Sequence, residues 1–324
     1  MNSTQVPVAF FIIKGLNSLG DIQTALFVIF LVAYIIILGG NSMIIFLVRT
    51  DPKLNSPMYF FLHNLSFVDM VYTSITIPSM LSGFLTENKT TSVPACFLQM
   101  YFFIQMAVTG RALLTVMAYD RYVAICDPLR YTATMTSTVR VLLVLGAWTF
   151  AAGCTLPAVT MATQRFYCGP NVVFHCWCDP SSVRVLVCGN TSMDSLVSLS
   201  SALVALIGTA VLILASYVLI GVAVAKMAAA QRWKMFATCA AHLTVVFLSY
   251  GSASFVYISY RVGNFSPEVR IIVAVIYSAL TPFLNPIIYS LRNKELRDAV
   301  RRSLCRLRTV TPKSFRTINT LSCL

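Results

Sequence analysis

The stretch Met117–Cys126 reads MAYDRYVAIC, and in it a long apolar run ends in an acid, a base and an aromatic residue. The acid is Asp120 and the base is Arg121, and residues 94–119 before them contain one further charge, Arg111. Charged side chains are costly inside a bilayer, so a pair of this kind is typical of the point where a membrane segment reaches water. A carboxylate beside a guanidinium at such a boundary indicates an electrostatic switch.

The composition of the whole chain is typical of a membrane protein. Its 324 residues are 57% hydrophobic and 11% charged, with a net charge of +13, and the mean hydropathy is +0.77. Too few charges are present to cover the surface of a soluble protein of this length. The basic excess lies at particular ends of apolar segments, as membrane topology produces, and we therefore expect no nucleic acid partner.

Seven apolar segments are long enough to cross the ~30 Å hydrocarbon core of the lipid bilayer as helices. None alternates with a period of two residues, so the pattern favours helices over the strands of a porin. We predict an all-α membrane protein with an N-terminal segment 1–21, a seven-transmembrane helix bundle over 22–291 and a basic tail 292–324. The start of the tail is expected to form a short amphipathic helix on the bilayer surface. The predicted membrane helices cover residues 22–48, 57–82, 94–119, 141–163, 195–225, 235–260 and 271–291.

The distribution of lysine and arginine predicts the orientation of these helices. The loops after the first, third and fifth segments and the tail hold most of the basic residues, and basic loops stay in the cytosol. The N-terminus is therefore expected outside the cell and the C-terminus in the cytosol. Three glycosylation sequons, at Asn2, Asn88 and Asn190, fall on the side assigned to the outside, where this modification takes place.

Five cysteines lie on the same outer side, where oxidising conditions let disulfides persist: Cys96, Cys168, Cys176, Cys178 and Cys188. The spacing of Cys176 and Cys178 beside His175 also suits zinc, but a disulfide framework is the better interpretation of an extracellular loop. We expect neither a bound metal nor a cofactor.

Six short motifs occur in a fixed order along the predicted helices. They are GN at Gly40 and Asn41, PMYFFLHNLSFVD at Pro57–Asp69, MAYDRYVAIC at Met117–Cys126, SY at Ser216 and Tyr217, KMFATCAAHLTVV at Lys234–Val246, and PFLNPIIYSLRN at Pro282–Asn293. Over residues 38–293 the chain resembles the vertebrate olfactory (odorant) receptors, which are rhodopsin-like G-protein-coupled receptors.

This resemblance implies a receptor that binds a small odorant and activates a heterotrimeric stimulatory G protein to raise cyclic AMP. It implies a location in the plasma membrane, in the cilia of olfactory neurons. It also implies two disulfides, Cys96–Cys178 and Cys168–Cys188, which leaves Cys176 over. We expect that thiol to be buried and unpaired, although a reactive or metal-binding role stays open.

The resemblance further implies a switch at the cytosolic ends of the helices. The carboxylate of the DRY motif holds the adjacent guanidinium until activation frees it, and two tyrosines then receive it. A proline in the seventh helix removes a backbone donor and leaves a segment that can rearrange. The expected switch residues are Asp120, Arg121, Tyr122, Tyr217, His242, Asn285, Pro286 and Tyr289.

The histidine of the sixth predicted helix has two interpretations. A buried, isolated histidine is most often a packing residue with its hydrogen bonds satisfied. The resemblance instead implies that His242 engages the cytosolic end of the third helix in the inactive state, and we adopt that as a hypothesis.

One position departs from the family. Odorant receptors usually have a glutamate ten residues before the Asp of DRY, and here that position is Gly110, followed by Arg111. A cation in the middle of the membrane must be paired or reach polar surroundings, so we expect an ion pair with Asp69 in place of a bound sodium ion. A step of one residue turns a helical side chain by ~100°, and Arg111 facing the fifth helix is the alternative.

The ligand site is expected in the outer half of the bundle. Residues 100–108 contain no acid for an amine, and residues 271–291 contain no lysine for retinal. Apolar side chains with a few hydroxyl groups suit a small, mostly apolar molecule. By family position these residues are Phe103, Ile104, Ala107, Val108, Ser201, Ala202, Ala205, Tyr250, Ser254, Tyr257, Val275 and Ser278.

Other classes of protein fit less well. The sequence contains no HExxH, GxSxG or Walker motif, so we expect no enzyme. A transporter is a stronger alternative because an intramembrane acid and base can form an ion path, but the two halves of the chain show no internal repeat. A receptor of the same class for a non-olfactory small molecule is the remaining alternative.

Overall fold

The computed structural model describes residues 8–16, 22–86, 89–168, 170–261 and 267–310, and seven long helices dominate these ranges. The shortest has 26 residues and the longest 34. Each predicted membrane segment lies within one of them, so the prediction of a seven-helix bundle is confirmed. The helices are Ile22–Thr50, Pro57–Leu85, Val93–Cys126, Ser137–Thr163, Ser192–Ala225, Ala229–Arg261 and Pro267–Arg292.

Most of the helices extend beyond the apolar runs that predict them. The third helix continues through the charged pair to Cys126, because helical hydrogen bonding does not depend on where side chains become polar. Pro57 begins the second helix, at a position where a missing N–H costs nothing. Thr136 caps the fourth helix, and its hydroxyl accepts a hydrogen bond from the Val139 amide at 3.4 Å.

Five of the seven helices are apolar and long enough to cross a membrane by length and composition, and the sixth contributes a shorter apolar stretch. The second helix is more polar because its buried face carries Asp69, Thr73 and Ser79. The Thr73 hydroxyl donates to the Asp69 carbonyl at 2.8 Å, within its own helix. This face points into the bundle, whereas the first helix exposes large apolar side chains such as Ile35, as contact with lipid requires.

The third helix runs through the centre of the bundle, in contact with the second, fourth, fifth and sixth helices. Its side chains Leu113, Met117 and Ala118 are fully buried. The first and seventh helices also approach closely, because a Cβ on Gly40 would lie only 2.9 Å from Pro286 Cγ. The third helix therefore connects the extracellular half of the bundle with its cytosolic end.

A small sheet on the extracellular side is an addition to the all-α prediction. Strand β1, Phe10–Ile13, pairs antiparallel with β2, Lys89–Ser92, and parallel with β3, Val172–Val173. Phe11 and Ile13 on one face of β1 are buried. The sequence of β1 is FFII, and an apolar run of four residues is too short to predict a strand by itself.

Both disulfides that the resemblance implies are present: Cys96–Cys178 joins the third helix to the long extracellular loop between the fourth and fifth helices, and Cys168–Cys188 lies within that loop. Cys176 is a buried free thiol, and burial raises its pKa to about 12, which favours the thiol over the thiolate. Among the sequons, Asn190 is exposed, and Asn2 and Asn88 lie outside the described residues.

The tail begins with the predicted amphipathic helix, Lys294–Val310. Leu296 and Ala299 bury one face of it against the bundle. Arg302 forms an ion pair with Asp51 in the first cytosolic loop at 2.5 Å, and this contact lowers the pKa of the Asp51 carboxyl. The helix therefore lies along the cytosolic end of the bundle rather than extending the seventh helix.

Candidate functional site

A cavity of about 810 Å³ lies in the extracellular half of the bundle, beneath the long loop. Its size falls within the range of roughly 300–1,000 Å³ that is typical of small-molecule sites. Seven of the residues predicted for ligand binding line it, and all of them come from the third and fifth helices. They are Phe103, Ile104, Ala107, Val108, Ser201, Ala202 and Ala205.

The predicted contributions of the sixth and seventh helices differ from those observed. Tyr250, Ser254, Val275 and Ser278 do not line this cavity. The Tyr250 hydroxyl donates to Thr209 at 2.6 Å, Val275 packs in an apolar cluster with Ile271, and the Ser278 hydroxyl donates to the Val275 carbonyl. The side chain of Tyr257 lies outside the described residues.

Other lining residues were not predicted. Tyr72 of the second helix, Ala253 of the sixth and Tyr277 of the seventh face the cavity, and Phe174 and Leu186 of the loop cover it. The Tyr72 ring stacks on Phe103 with centroids 5.6 Å apart. Loop residues cannot be placed from helical periodicity, whereas Tyr72 lies one turn from Asp69 on the same buried face and was open to prediction.

The expected ion pair between Asp69 and Arg111 does not form. The Asp69 carboxylate accepts a hydrogen bond from the Asn285 amide at 2.6 Å. The Arg111 guanidinium donates to the Tyr277 hydroxyl at 2.6 Å and to the Ala107 carbonyl at 3.2 Å.

The rotation of the third helix explains this correction. A Cβ on Gly110 would meet Val68 and Leu65 of the second helix at 3.8 and 4.0 Å, so position 110 faces the second helix. The next residue is turned by ~100°, and Arg111 therefore points into the cavity. The alternative that Arg111 faces the fifth helix does not describe its contacts either.

At the cytosolic end, Asp120 is fully buried and binds two partners. One carboxylate oxygen accepts from the Arg121 guanidinium at 2.5 and 3.1 Å, and the other accepts from the Tyr131 hydroxyl at 2.8 Å. Burial, reinforced by the Asp120 carboxylate, raises the pKa of the Tyr131 phenol above its usual range, so that the hydroxyl remains a donor. Tyr131, in the second cytosolic loop, was not predicted.

The remaining predicted switch residues surround this pair. His242 bridges two helices, with one ring nitrogen 2.8 Å from the Tyr217 hydroxyl and the other 3.0 Å from the Leu114 carbonyl of the third helix. The Tyr289 hydroxyl is buried without a hydrogen-bond partner in the described part of the chain. Tyr122 packs in an apolar cluster at the inner end of the third and fifth helices, and Pro286 lies inside the seventh helix. In this arrangement the Arg121 guanidinium is bound to Asp120 and not to Tyr217 or Tyr289.

Comparison with known proteins identifies this arrangement. The profile of the olfactory receptor family matches residues 30–307. The chain belongs to the olfactory receptor family. Members of this family are membrane receptors that respond to small molecules and act through G proteins, and they are not enzymes.

Individual relatives agree over almost the whole chain. Human olfactory receptor 6N1 is 42% identical over 93% of this chain and 96% of its own length. Human olfactory receptor 5AN1 is 42% identical over 91% of this chain and 95% of its own length, and mouse olfactory receptor 5G26 is 40% identical over 94% and 95%. The crystal structure of squid rhodopsin has the same fold, with a TM-score of 0.67 at 18% identity over 89% of this chain and 87% of that one.

Replacing His242 by phenylalanine is expected to raise the basal signalling of this olfactory receptor by about tenfold. The substitution removes both hydrogen bonds of the bridge between Tyr217 and Leu114, each of which contributes about 0.5–1.5 kcal/mol to the state that contains the bridge. Basal second-messenger output per receptor at the cell surface is the measurement. Ser216→Ala is the control, because the Ser216 hydroxyl bonds only to Leu212 of its own helix. Unchanged basal and ligand-driven signalling in His242→Phe would mean that the histidine only packs.

Proposed function

We propose that this olfactory receptor binds a small, mostly apolar volatile in the outer cavity and activates a stimulatory, olfactory-type G protein to raise cyclic AMP. We place it in the plasma membrane of olfactory neuron cilia. The observation that carries the proposal is a mostly apolar cavity beside the third helix, the same helix that carries Asp120 and Arg121 near its cytosolic end. Apolar walls favour a ligand held chiefly by its contact area.

The third helix supplies a physical path from ligand to partner. Phe103, Ile104 and Val108 contact the cavity, and the Asp120–Arg121 pair lies at the cytosolic end. The helix is buried on most sides, and a packed core transmits a displacement because it is nearly incompressible. A ligand that binds one position of this helix better than another therefore shifts the charged pair as well.

The two alternatives to this function make different predictions. A receptor for a non-olfactory small molecule would use the same cavity and switch but would not respond to volatile compounds. A transporter would carry its substrate across the membrane without a G protein. Cells that express the receptor with the stimulatory G protein, exposed to a panel of volatiles, are expected to produce cyclic AMP. Substrate flux without that G protein would contradict the proposal.

Filling the cavity tests whether it is the ligand site. Ala202→Phe adds a ring to the cavity wall on the fifth helix, and overpacking of about 1–3 kcal/mol is expected to weaken the response to an active volatile by roughly tenfold or more. Leu203→Phe is the matched control, because Leu203 is the next residue and is exposed on the outside of the bundle. An equal loss in both variants, at equal surface expression, would mean that the ligand binds elsewhere.

A further inference from the structure

Arg111 is a cation at the inner end of the cavity. It is the innermost of the third-helix residues that line this space, one turn below Ala107. No carboxylate among the described residues forms an ion pair with it, and Asp69, the acid expected to do so, accepts a hydrogen bond from Asn285 instead. A charge at this depth is expensive unless it faces a partner or a polar cavity.

The hydrogen bonds of Arg111 leave donors unused. One terminal nitrogen donates to the Tyr277 hydroxyl and the other to the Ala107 carbonyl. Its Nε is buried and has no hydrogen-bond partner in the described ranges. A guanidinium presents more N–H groups than these two bonds use, in a planar fork that matches a carboxylate.

The rest of the lining favours an anion. Among the described residues that line it, the charged side chains are three arginines and one aspartate, namely Arg111, Arg184, Arg270 and Asp179. The Asp179 carboxylate is already engaged at the start of a short helix, where it accepts hydrogen bonds from the Ser181 and Ser182 amides at 3.0 and 3.1 Å. The described lining therefore carries two more positive than negative formal charges, and of these side chains Arg111 lies farthest from the extracellular surface.

We propose that the ligand is an aliphatic carboxylic acid, whose carboxylate binds Arg111 beside Tyr277 and Tyr72 while its chain occupies the apolar part of the cavity. This inference rests on the proposed odorant-receptor function and names the class of its ligand. Phe103, Ile104 and Leu206 supply apolar surface for the chain. A desolvated guanidinium–carboxylate pair is strong and selective, because the uncharged analogue leaves the cation unpaired.

The first test compares ligands and charge variants in the cyclic AMP assay. Straight-chain acids of four to ten carbons (~C4–C10, chosen to fit a site of this size) are compared with the alcohols and methyl esters of equal length. Arg111→Gln is expected to raise the half-maximal concentration of the best acid by roughly 30-fold or more, the factor for truncating one member of a buried charge pair. Arg111→Lys is expected to retain part of the response. Arg184→Gln removes a charge from the extracellular loop that covers the cavity. It is the control for the positive electrostatic potential of the cavity as a whole.

The second test measures binding without a G protein. Octanoate is expected to raise the melting temperature of the purified wild-type receptor, and methyl octanoate or an equal concentration of chloride is not. Tyr277→Phe keeps the cation and removes the phenol beside the proposed carboxylate position, and we expect it to reduce the octanoate shift without abolishing it. It therefore reports on the site if Arg111→Gln does not reach the cell surface.

The outcomes separate this inference from the function on which it rests. Cyclic AMP responses to neutral volatiles that Arg111→Gln leaves unchanged, without a preference for acids, would keep the receptor function and overturn the carboxylate site. Stabilisation by chloride equal to that by octanoate would assign Arg111 to an inorganic anion and also overturn it. Octanoate binding that depends on Arg111, without any cyclic AMP response, would support the site and contradict the proposed G protein.

Discussion

Replacing Arg121 by alanine is expected to reduce the ligand-dependent cyclic AMP response to background while the receptor still reaches the cell surface. The guanidinium is bound to the fully buried Asp120 carboxylate and is itself largely covered. By family resemblance, activation releases this guanidinium toward the cytosolic partner, and alanine has nothing to release. Folding is expected to depend less on Arg121 than signalling does, because the Tyr131 hydroxyl still donates a hydrogen bond to Asp120 in the variant.

The measurement is cyclic AMP against ligand concentration, normalised to surface receptor. Arg130→Ala is the matched control, because Arg130 is an exposed arginine of the neighbouring cytosolic loop. Asp120→Asn is expected to have the opposite effect, an increase in basal cyclic AMP. It weakens the hold on Arg121, and a shift of about 1.4 kcal/mol in the balance of states raises basal output tenfold. A normal response from Arg121→Ala would show that G-protein coupling does not pass through this pair.

The helices were the most predictable part of the fold. Their apolar runs are long, and the charges that flank them mark the membrane boundaries, so each predicted segment lies inside an observed helix. Boundaries were less predictable, because a helix such as Val93–Cys126 continues into water for as long as its backbone stays bonded. The extracellular sheet was not predicted, since its strands have two to four residues and pair only through distant parts of the chain.

Part of the candidate site was predictable for a different reason. The predicted residues of the third and fifth helices, such as Phe103 and Ala205, line the cavity. They were predictable because helical periodicity places one face of each helix toward the centre. Val275 and Ser278 were also predicted for the site but do not line the cavity, because their direction depends on the rotation of the seventh helix and so on its packing against the first. Close contact of Gly40 with Pro286 is one of the features that sets this rotation.

The position of Arg111 shows the limit most clearly. The expected ion pair with Asp69 rested on Gly110 in place of the family's usual glutamate and on the need of an intramembrane cation for a partner. The position of Gly110 explains the difference, since a Cβ there would contact Val68 of the second helix at 3.8 Å and position 110 therefore faces that helix. That orientation turns Arg111 toward Tyr277 and into the cavity. The prediction from charge alone therefore failed because adjacent helical residues differ in direction by ~100°.

Replacing Cys96 by serine is expected to remove most of the receptor from the cell surface. The Cys96–Cys178 disulfide closes a loop across a sequence separation of 82 residues, and loss of a native disulfide typically costs about 2–5 kcal/mol. The same bond holds the loop over the cavity. Next to it, the Cys178 amide donates to Gln99 at 3.0 Å, and the Ser79 hydroxyl donates to the Cys176 carbonyl at 3.0 Å.

The variants in this test separate the bond from its parts. Cys178→Ser and the double variant Cys96→Ser with Cys178→Ser are expected to lose surface receptor as fully as Cys96→Ser does, because one bond is absent in all three. Cys126→Ser is the control, since this cysteine is free and partly exposed near the cytosolic end. If the double variant reached the surface normally while both single variants failed, an unpaired thiol would cause the loss. The two hydrogen bonds and the buried Trp177 would then be enough to hold the loop over the cavity.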